Sequence, residues 1–193
     1  SATRRIAFAE GEEERVLRAA NAMLEETTDV PILIGRPEVI AMRAERAGLP
    51  IRPERDFEIV NPESDSRYRD YWETYHRLMA RRGVTPDLAR AIMRTNTTAI
   101  GGIMVHRGQA DSLICGCFGQ YSWHLKYVRE ILARGGLHPV GALSMLIQDQ
   151  GALFVADKLL GDRVARFASV QYDVKGPLQD PQISFDKPFE KPQ

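Results

Sequence analysis

"RRIAFAEGEEERVLRAANAMLEETTDVPILIG" (residues 4–35) decides the fold. It opens with a short apolar run, residues 6–9, ended by Gly11. In the "EEERVLRAANAMLEE" that follows, Val16, Leu17, Ala20, Met23 and Leu24 recur at helical spacing. Acids crowd its first turn, where the helix dipole favours negative charge. "VPILIG" (residues 30–35) reads as a buried strand. Working outward, "RPEVIAMRAERAG" predicts a helix with Pro37 near its start and Gly48 at its end. "DFEIVNP" (residues 56–62) predicts a third strand closed by a turn. This alternation of strand and helix predicts an α/β fold, a parallel sheet with crossover helices.

Further along, Tyr68, Tyr71, Trp72, Tyr75, Leu78 and Met79 fall on one broad helical face, with Gly83 as the stop. Thr85 and Pro86 restart a helix as its cap and first residue. "TNTTAIGGIMVHRG" predicts another, weakened by Gly101 and Gly102. "ADSLICG" (residues 110–116) is a fourth strand, and "QYSWHLKYVREILARGG" a helix. "VGALSMLIQ" and "GALFVAD" predict two strands joined as a hairpin near residues 149–151. After Asp157 the character changes. "KLLGDRVARFASVQYDV" predicts a short helix at its start, and the proline-rich end an extended, poorly ordered or edge-lying tail, because proline blocks both helix and central strand. The domain reading is therefore residues 1–157, one lobe, and 158–193, a divergent tail.

Composition narrows the function. Lysine plus arginine and aspartate plus glutamate number 26 each among 193 residues. No long-range field attracts nucleic acid or an anionic membrane, so neither is expected as a partner. No stretch approaches the ~20 apolar residues of a membrane span. Two cysteines do not make a secreted disulfide scaffold, and a cytoplasmic setting is expected.

The chemistry-bearing stretch is "CGCFGQYSWHL" (residues 115–125). A metal there would need about four ligands, and only Cys115, Cys117, His124 and His106 are candidates, in no structural zinc spacing. Strand alternation puts both cysteines on one face. A nucleophilic cysteine would need a thiolate held by a base or a helix N-terminus, and Cys117 precedes a helix carrying His124. The third reading is a binding turn, because parallel sheets take ligands beyond the carboxyl ends of their strands. Gly116 and Gly119 let backbone approach a ligand, and the N–H groups from Gln120 onward face any anion. Lys126 and Arg129 follow on the helix. The similar turn at "AEGEEER" carries an acid cluster that would repel phosphate. Arg81 and Arg82 at a helix end read either as dipole partners or as an anion clamp. Trp72 and His76 belong to the packed aromatic face, and His138 before Pro139 to a turn.

Together, "RIAFAEGEEERVLRAA", "PILIGRPEVI", "DFEIVNPESDSRYRDYWETYHRLMARRGVTPDLAR", "TNTTAIGGIMVHRGQADSLICG", "GQYSWHLKYVREI" and "HPVGALSMLI" resemble phosphate acetyltransferases over residues 4–157. More closely, they resemble the phosphotransacetylase-like domain at the C-terminus of bacterial hybrid NADP-dependent malic enzymes. The resemblance implies a three-layer α/β/α lobe with a mostly parallel sheet, akin to isocitrate and isopropylmalate dehydrogenase lobes, in a truncated form. It implies dimers or larger oligomers. In true transferases it implies acetyl transfer between coenzyme A and phosphate. In the malic enzymes it implies a regulatory domain with acetyl-CoA or a related acyl-CoA as effector, while NADP and a divalent metal belong to a malic domain absent here.

Two departures bear on activity. Where active transferases carry a threonine-rich turn and an arginine, this chain has Tyr121, Trp123 and His124, with Lys126 or Arg129 to supply charge. The family's later serine, arginine and aspartate cluster has no match after Asp157. "YDVKGPLQDPQISF" instead resembles the terminal segment of AsmA-type envelope proteins, the mark of a fused or spliced tail. No catalytic residue and no metal ligand is assigned. The expected ligand set is Arg81, Arg82, Gly116, Gly119, Gln120, Tyr121, His124 and Lys126. Three readings follow: an acetyl-CoA-binding regulatory domain of a malic enzyme, a phosphate acyltransferase, and an oligomerisation module using the aromatic helix from Tyr68 to Tyr75.

Overall fold

The computed structural model describes residues 3–52, 55–132, 142–146, 152–157, 170–175 and 182–188. It divides into two compact units, Ser1–Lys158 and Leu159–Gln193.

In the first unit, strands β1 (Arg5–Phe8), β2 (Val30–Ile34), β3 (Glu58–Val60) and β4 (Ser112–Cys115) lie parallel in the order β3-β2-β1-β4. An antiparallel hairpin, β5 (Ala142–Leu146) and β6 (Ala152–Asp157), extends the sheet beyond β4. The strands read as continuous apolar runs because both sheet faces are covered. On one face, Ile6, Phe8 and Leu33 meet Val16, Leu17 and Ala20 of α1 (Glu14–Glu26) and Ile40 and Ala44 of α2 (Pro37–Arg46). On the other, Ala7, Ala9, Ile32, Ile34 and Leu113 meet α3 (Tyr68–Met79), α4 (Pro86–Thr95), α5 (Thr97–His106) and α6 (Tyr121–Leu132). Each large side chain fully buried in these layers contributes about 1.5–3 kcal/mol. The architecture is the expected three-layer α/β/α.

Several local readings hold. Thr85 caps α4 by accepting the Leu88 N–H at 3.2 Å, with Pro86 at the first helical position. Asn96 caps α5 through the Ala99 N–H at 2.8 Å. Gly101 and Gly102 let α5 sink into the core. A Cβ on Gly101 would run into Leu113, and one on Gly102 would stand 3.1 Å from Ile131 Cδ1. From Thr98 to Val105 every residue of this helix is buried. Along α3, Tyr71, Tyr75 and Met79 are buried and Tyr68 and Trp72 are partly so, but Leu78 faces solvent and leaves the expected stripe. At β3, Glu58 is paired with Arg67 at 3.0 Å and with Arg5.

The second unit contains an antiparallel pair, β7 (Val170–Lys175) and β8 (Gln182–Pro188). The expected extended tail is thus a hairpin. Two strands have only edges, where proline is tolerated, and Pro188 sits at the end of one. The short helix expected after Asp157, the turn near residues 149–151 and His138 lie outside the described residues.

Gly11 sets the first turn against the sheet. Its N–H reaches Ile34 O at 3.1 Å, and a Cβ there would lie 2.8 Å from Ile34 N and 2.9 Å from Leu33 Cβ. Backbone cannot retreat as a flexible side chain can. Gly11→Ala is therefore expected to destabilise the fold by about 2 kcal/mol in urea denaturation, the usual scale of overpacking.

Candidate functional site

Chain order gives the site its place. From β1 the chain winds outward through β2 to β3, then returns past β1 to β4, so the strand order reverses between β1 and β4. Ligands of open α/β sheets lie outside the carboxyl ends of the strands at such a point. A cleft of about 260 Å³ opens there, with Glu10, Glu12, Arg36, Arg94, Thr97 and Phe118 among its walls. These residues come from the turns after β1, β2 and β4 and from the α4–α5 junction.

The acid-rich turn after β1 is thus part of the cleft, and its charge is largely answered. Arg36 grips Glu12 with two bonds, Nε to Oε1 and Nη2 to Oε2, both 2.9 Å. This pairing holds the Glu12 carboxyl below its ordinary pKa and raises that of Arg36. Arg43 donates to Glu12 O at 2.7 Å and to Glu13 Oε1 at 3.3 Å. Arg94 differs. It lies 3.6 Å from the Tyr68 ring centroid and donates to Pro62 O at 2.9 Å and to Glu63 O. No carboxylate pairs with it among the described residues, so its charge remains available to an anion.

Behind the cleft, Glu10 stitches β1 to β4: its Oε1 accepts the Gly116 N–H at 2.9 Å. Burial raises its pKa from 4.5 to about 7. His124 is 2% exposed. Its Nε2 lies 2.6 Å from Phe118 O, which can only accept, so Nε2 carries the proton. Its Nδ1 then accepts from Thr98 Oγ1 at 2.7 Å. Glu10 Oε1 is 3.6 Å from the same Nδ1. That contact is not a fixed ion pair, since burial lowers the His124 pKa and keeps the ring neutral, while it raises that of Glu10 to about 7.

The sequence-chosen residues divide. Gly116, Gly119, Gln120 and His124 come together in one turn. Gly116 (φ 102°) and Gly119 (φ 91°) adopt left-handed backbone, and a Cβ on Gly119 would stand 3.3 Å from His124 Nε2. Gln120 is exposed, and its carbonyl accepts the Trp123 N–H at 3.0 Å. Tyr121 begins α6. Lys126 is exposed, 5.3 Å from the Tyr127 ring centroid. Arg81 and Arg82 are exposed in the 3₁₀ turn after α3, away from this group. Tyr75 of that helix meets Glu130 at 3.0 Å, toward the opposite end of α6 from Gly119.

The cysteines do not share a face. Gly116 breaks the strand alternation, so Cys115 joins the core beneath α5 while Cys117 packs on the α1 side. Burial pushes the Cys115 thiol well up and that of Cys117 to about 11, which keeps both protonated. His106 closes α5, whereas His124 meets Thr98 at its start, so the four proposed metal ligands do not converge. Glu10, Glu12, Arg36, Arg94 and Thr97 were not singled out from sequence. Their signal was position: most of them lie within a few residues of a strand's carboxyl end.

The fold is an α/β lobe of the doubly wound kind, with a cleft at its strand-order reversal. The chain matches the profile described as phosphate acetyl/butaryl transferase over residues 1–163, and it belongs to that family. It is 56% identical over 158 residues to a Rhizobium meliloti NAD-dependent malic enzyme, covering 81% of this chain and 20% of that protein. It is 45% identical to a Salmonella typhimurium NADP-dependent malic enzyme, covering 82% and 21%. A Nitratidesulfovibrio vulgaris phosphate acetyltransferase is 32% identical, covering 79% and 21%. The chain thus spans about a fifth of the length of these curated relatives. The solved EutD phosphotransacetylase from Staphylococcus aureus shares its fold with a TM-score of 0.63 at 22% identity, over 78% of this chain and 45% of that one. The resemblance to both malic enzymes and transacetylases is borne out. No helix among the described residues is long and apolar enough to cross a membrane.

Two buried groups give opposite pH dependences. Glu10, raised to about 7, contributes stability that is fully present below pH 4.5 and lost as pH rises through 7. His124, lowered, contributes stability present above pH 6.5 and lost as pH falls through its folded pKa. In urea denaturation at pH 5 and pH 8, Glu10→Gln is expected to gain on the wild type by about 2 kcal/mol at the higher pH.

Proposed function

We propose that this lobe binds acetyl-CoA or a related acyl-CoA as an effector within a malic enzyme, without turning it over. The observation that carries this is Arg94, a cation without a carboxylate partner among the described residues, on the wall of a cleft at the strand-order reversal. Guanidinium there suits a phosphate group. Phe118 is 74% exposed beside it and Trp123 46%, which offers aromatic surface to a nucleobase. A cleft of about 260 Å³ accommodates part of such a ligand, the remainder lying along these exposed aromatics. The two malic enzyme relatives at 56% and 45% identity support the parent activity. One is named for NAD and the other for NADP, so the NADP attribution remains part of the proposal.

The turn itself offers no group poised for turnover. His124 is fixed as a neutral imidazole with both nitrogens engaged, and the nearby thiols are protonated, so neither is poised to act on a thioester. The second reading, a phosphate acyltransferase, is favoured by the phosphate acetyltransferase relative at 32% identity. Phosphate would itself be the nucleophile, with positioning and charge supplying the rest. The aromatic helix offers little to an oligomerisation module, because Tyr71 and Tyr75 lie in the chain's own core and Arg94 and Arg90 cover Tyr68 and Trp72. Assembly into dimers or larger oligomers, through other surfaces, stays part of the proposal, as does a cytoplasmic setting.

Calorimetric titration of the chain with acetyl-CoA is expected to give saturable binding. Arg94→Ala should weaken it about 10-fold, with circular dichroism confirming that the variant is folded. Absence of binding at millimolar acetyl-CoA overturns the effector reading for this chain. Arsenate-dependent loss of the thioester would instead establish the acyltransferase.

A further inference from the structure

Arg94 does not hang free on the cleft wall; three contacts hold it. Its Nη1 donates to Pro62 O at 2.9 Å and to Glu63 O, which uses both hydrogens of that nitrogen. Those carbonyls belong to a fixed turn, in which Asn61 O accepts the Asp65 N–H at 2.9 Å and Asn61 Oδ1 accepts the Glu63 N–H at 3.0 Å. The guanidinium carbon stands 3.6 Å from the Tyr68 ring centroid. That ring is fixed in turn, because its hydroxyl donates at 3.0 Å to Arg90 O, one turn before Arg94 on α4. What remains of the guanidinium is its Nε–Nη2 edge, which has no hydrogen-bond partner among the described residues. Arg94 is an exposed residue bordering the cleft, so a ligand there can reach it. The neighbouring guanidinium groups are spent, Arg90 on Asp87 at 2.6 Å and Arg36 on Glu12 at 2.9 Å.

We propose that Tyr68 is a positioning residue of the ligand site: its ring and the Pro62 and Glu63 carbonyls hold Arg94 so that the Nε–Nη2 edge clasps two oxygens of one phosphoryl group of the acyl-CoA. This rests on the acyl-CoA reading of the cleft and deepens it by naming the part of the ligand that the site reads. Two parallel N–H donors in one plane match two oxygens of a phosphoryl group, whereas the single oxygen of a thioester carbonyl engages only one of them. Arg94 therefore reads the nucleotide end of the ligand and is blind to the acyl group. A long side chain gives up rotamer freedom when it binds, and one already held gives up less. The Tyr68 ring thus adds to affinity without touching the ligand. A lysine does not substitute, because an ammonium has no second edge to offer once it is anchored.

The experiment is calorimetric titration of the full chain and its variants with acetyl-CoA, with circular dichroism checking that each is folded. Tyr68→Leu is expected to weaken binding about 5-fold, the scale of one cation–ring contact, and Tyr68→Phe, which keeps the ring, to recover most of that loss. In an Arg94→Ala background, Tyr68→Leu is expected to cost no further affinity, although it still lowers the urea midpoint. A ring that merely props the fold gives the same loss in both backgrounds. Arg94→Lys is expected to bind as weakly as Arg94→Ala. Free coenzyme A and its 3′-dephospho form then locate the phosphoryl group. An Arg94→Ala loss kept with free coenzyme A and gone with the dephospho form marks the 3′-phosphate, and one kept with both marks the pyrophosphate. A loss seen with acetyl-CoA but not with free coenzyme A puts Arg94 on the thioester and overturns the phosphoryl assignment. If Tyr68→Leu does not fold, the NMR signal of the Arg94 Nε–H, assigned by its loss in Arg94→Lys, decides. Stacked on the ring it lies upfield of other arginines and moves downfield as acetyl-CoA is added; an ordinary position or no movement overturns the role of Tyr68. Equal Tyr68→Leu losses in both backgrounds, no loss in Tyr68→Leu or Arg94→Ala, or full binding by Arg94→Lys overturns the inference and leaves the acyl-CoA reading standing. No acetyl-CoA binding by the wild type overturns both.

Discussion

Everything at the cleft depends on β1 and β4 lying side by side in parallel. Ile6 pairs with Ser112, Ala7 with Leu113 and Phe8 with Ile114, across more than half the chain's length. The ladder continues past the strands through the Ala9 N–H to Ile114 O at 2.9 Å, and ends with the Glu10 carboxyl on the Gly116 amide. Parallel neighbours need a long crossover between them, and here its return leg, from β3 to β4, is built from α3, α4 and α5. That crossover delivers Arg94 and Thr97 to the same end of the sheet as the turns after β1 and β2. The pairing therefore both closes the core and assembles the walls of the site.

Burial at this junction disfavours charge. Glu10, His124, Thr98, Cys115 and Cys117 crowd together there. Charged groups stand further out, where Arg36 and Arg43 answer Glu12 and Glu13. This separation answers most of the charge of the acid-rich turn that borders the cleft. Glu12 and Glu13 are paired with arginines, Glu10 is buried, and Arg94 has no carboxylate partner among the described residues.

The strands, the helix caps and the layered architecture were legible because they rest on local signals. Apolar runs of four or five residues mark strands buried on both faces, and Thr85–Pro86 states a helix start in two residues. The charge logic of the site was not legible. The acids at residues 12 and 13 read as repulsive because their partners, Arg36 and Arg43, are brought to them only by the packing of α2 beside α1. The cysteine geometry failed for a local reason: Gly116 takes a positive φ, so the two-residue alternation of the strand stops one residue before Cys117. Arg81 and Arg82 were chosen for their chemistry, and topology places them elsewhere. The glycines of α5 read as weak points because helix propensity counts only the backbone; in contact with Leu113 and Ile131 they are what allows close packing.

The pairing of Glu58 with Arg5 and Arg67 has a consequence beyond stability. β3 is the outermost parallel strand, only three residues long, and an open strand of this kind is where another molecule's backbone can dock and grow a stack. A short stretch bearing a carboxylate clasped by two guanidinium groups is a poor template for such self-association. The lobe carries its own safeguard against fibrous growth on that side.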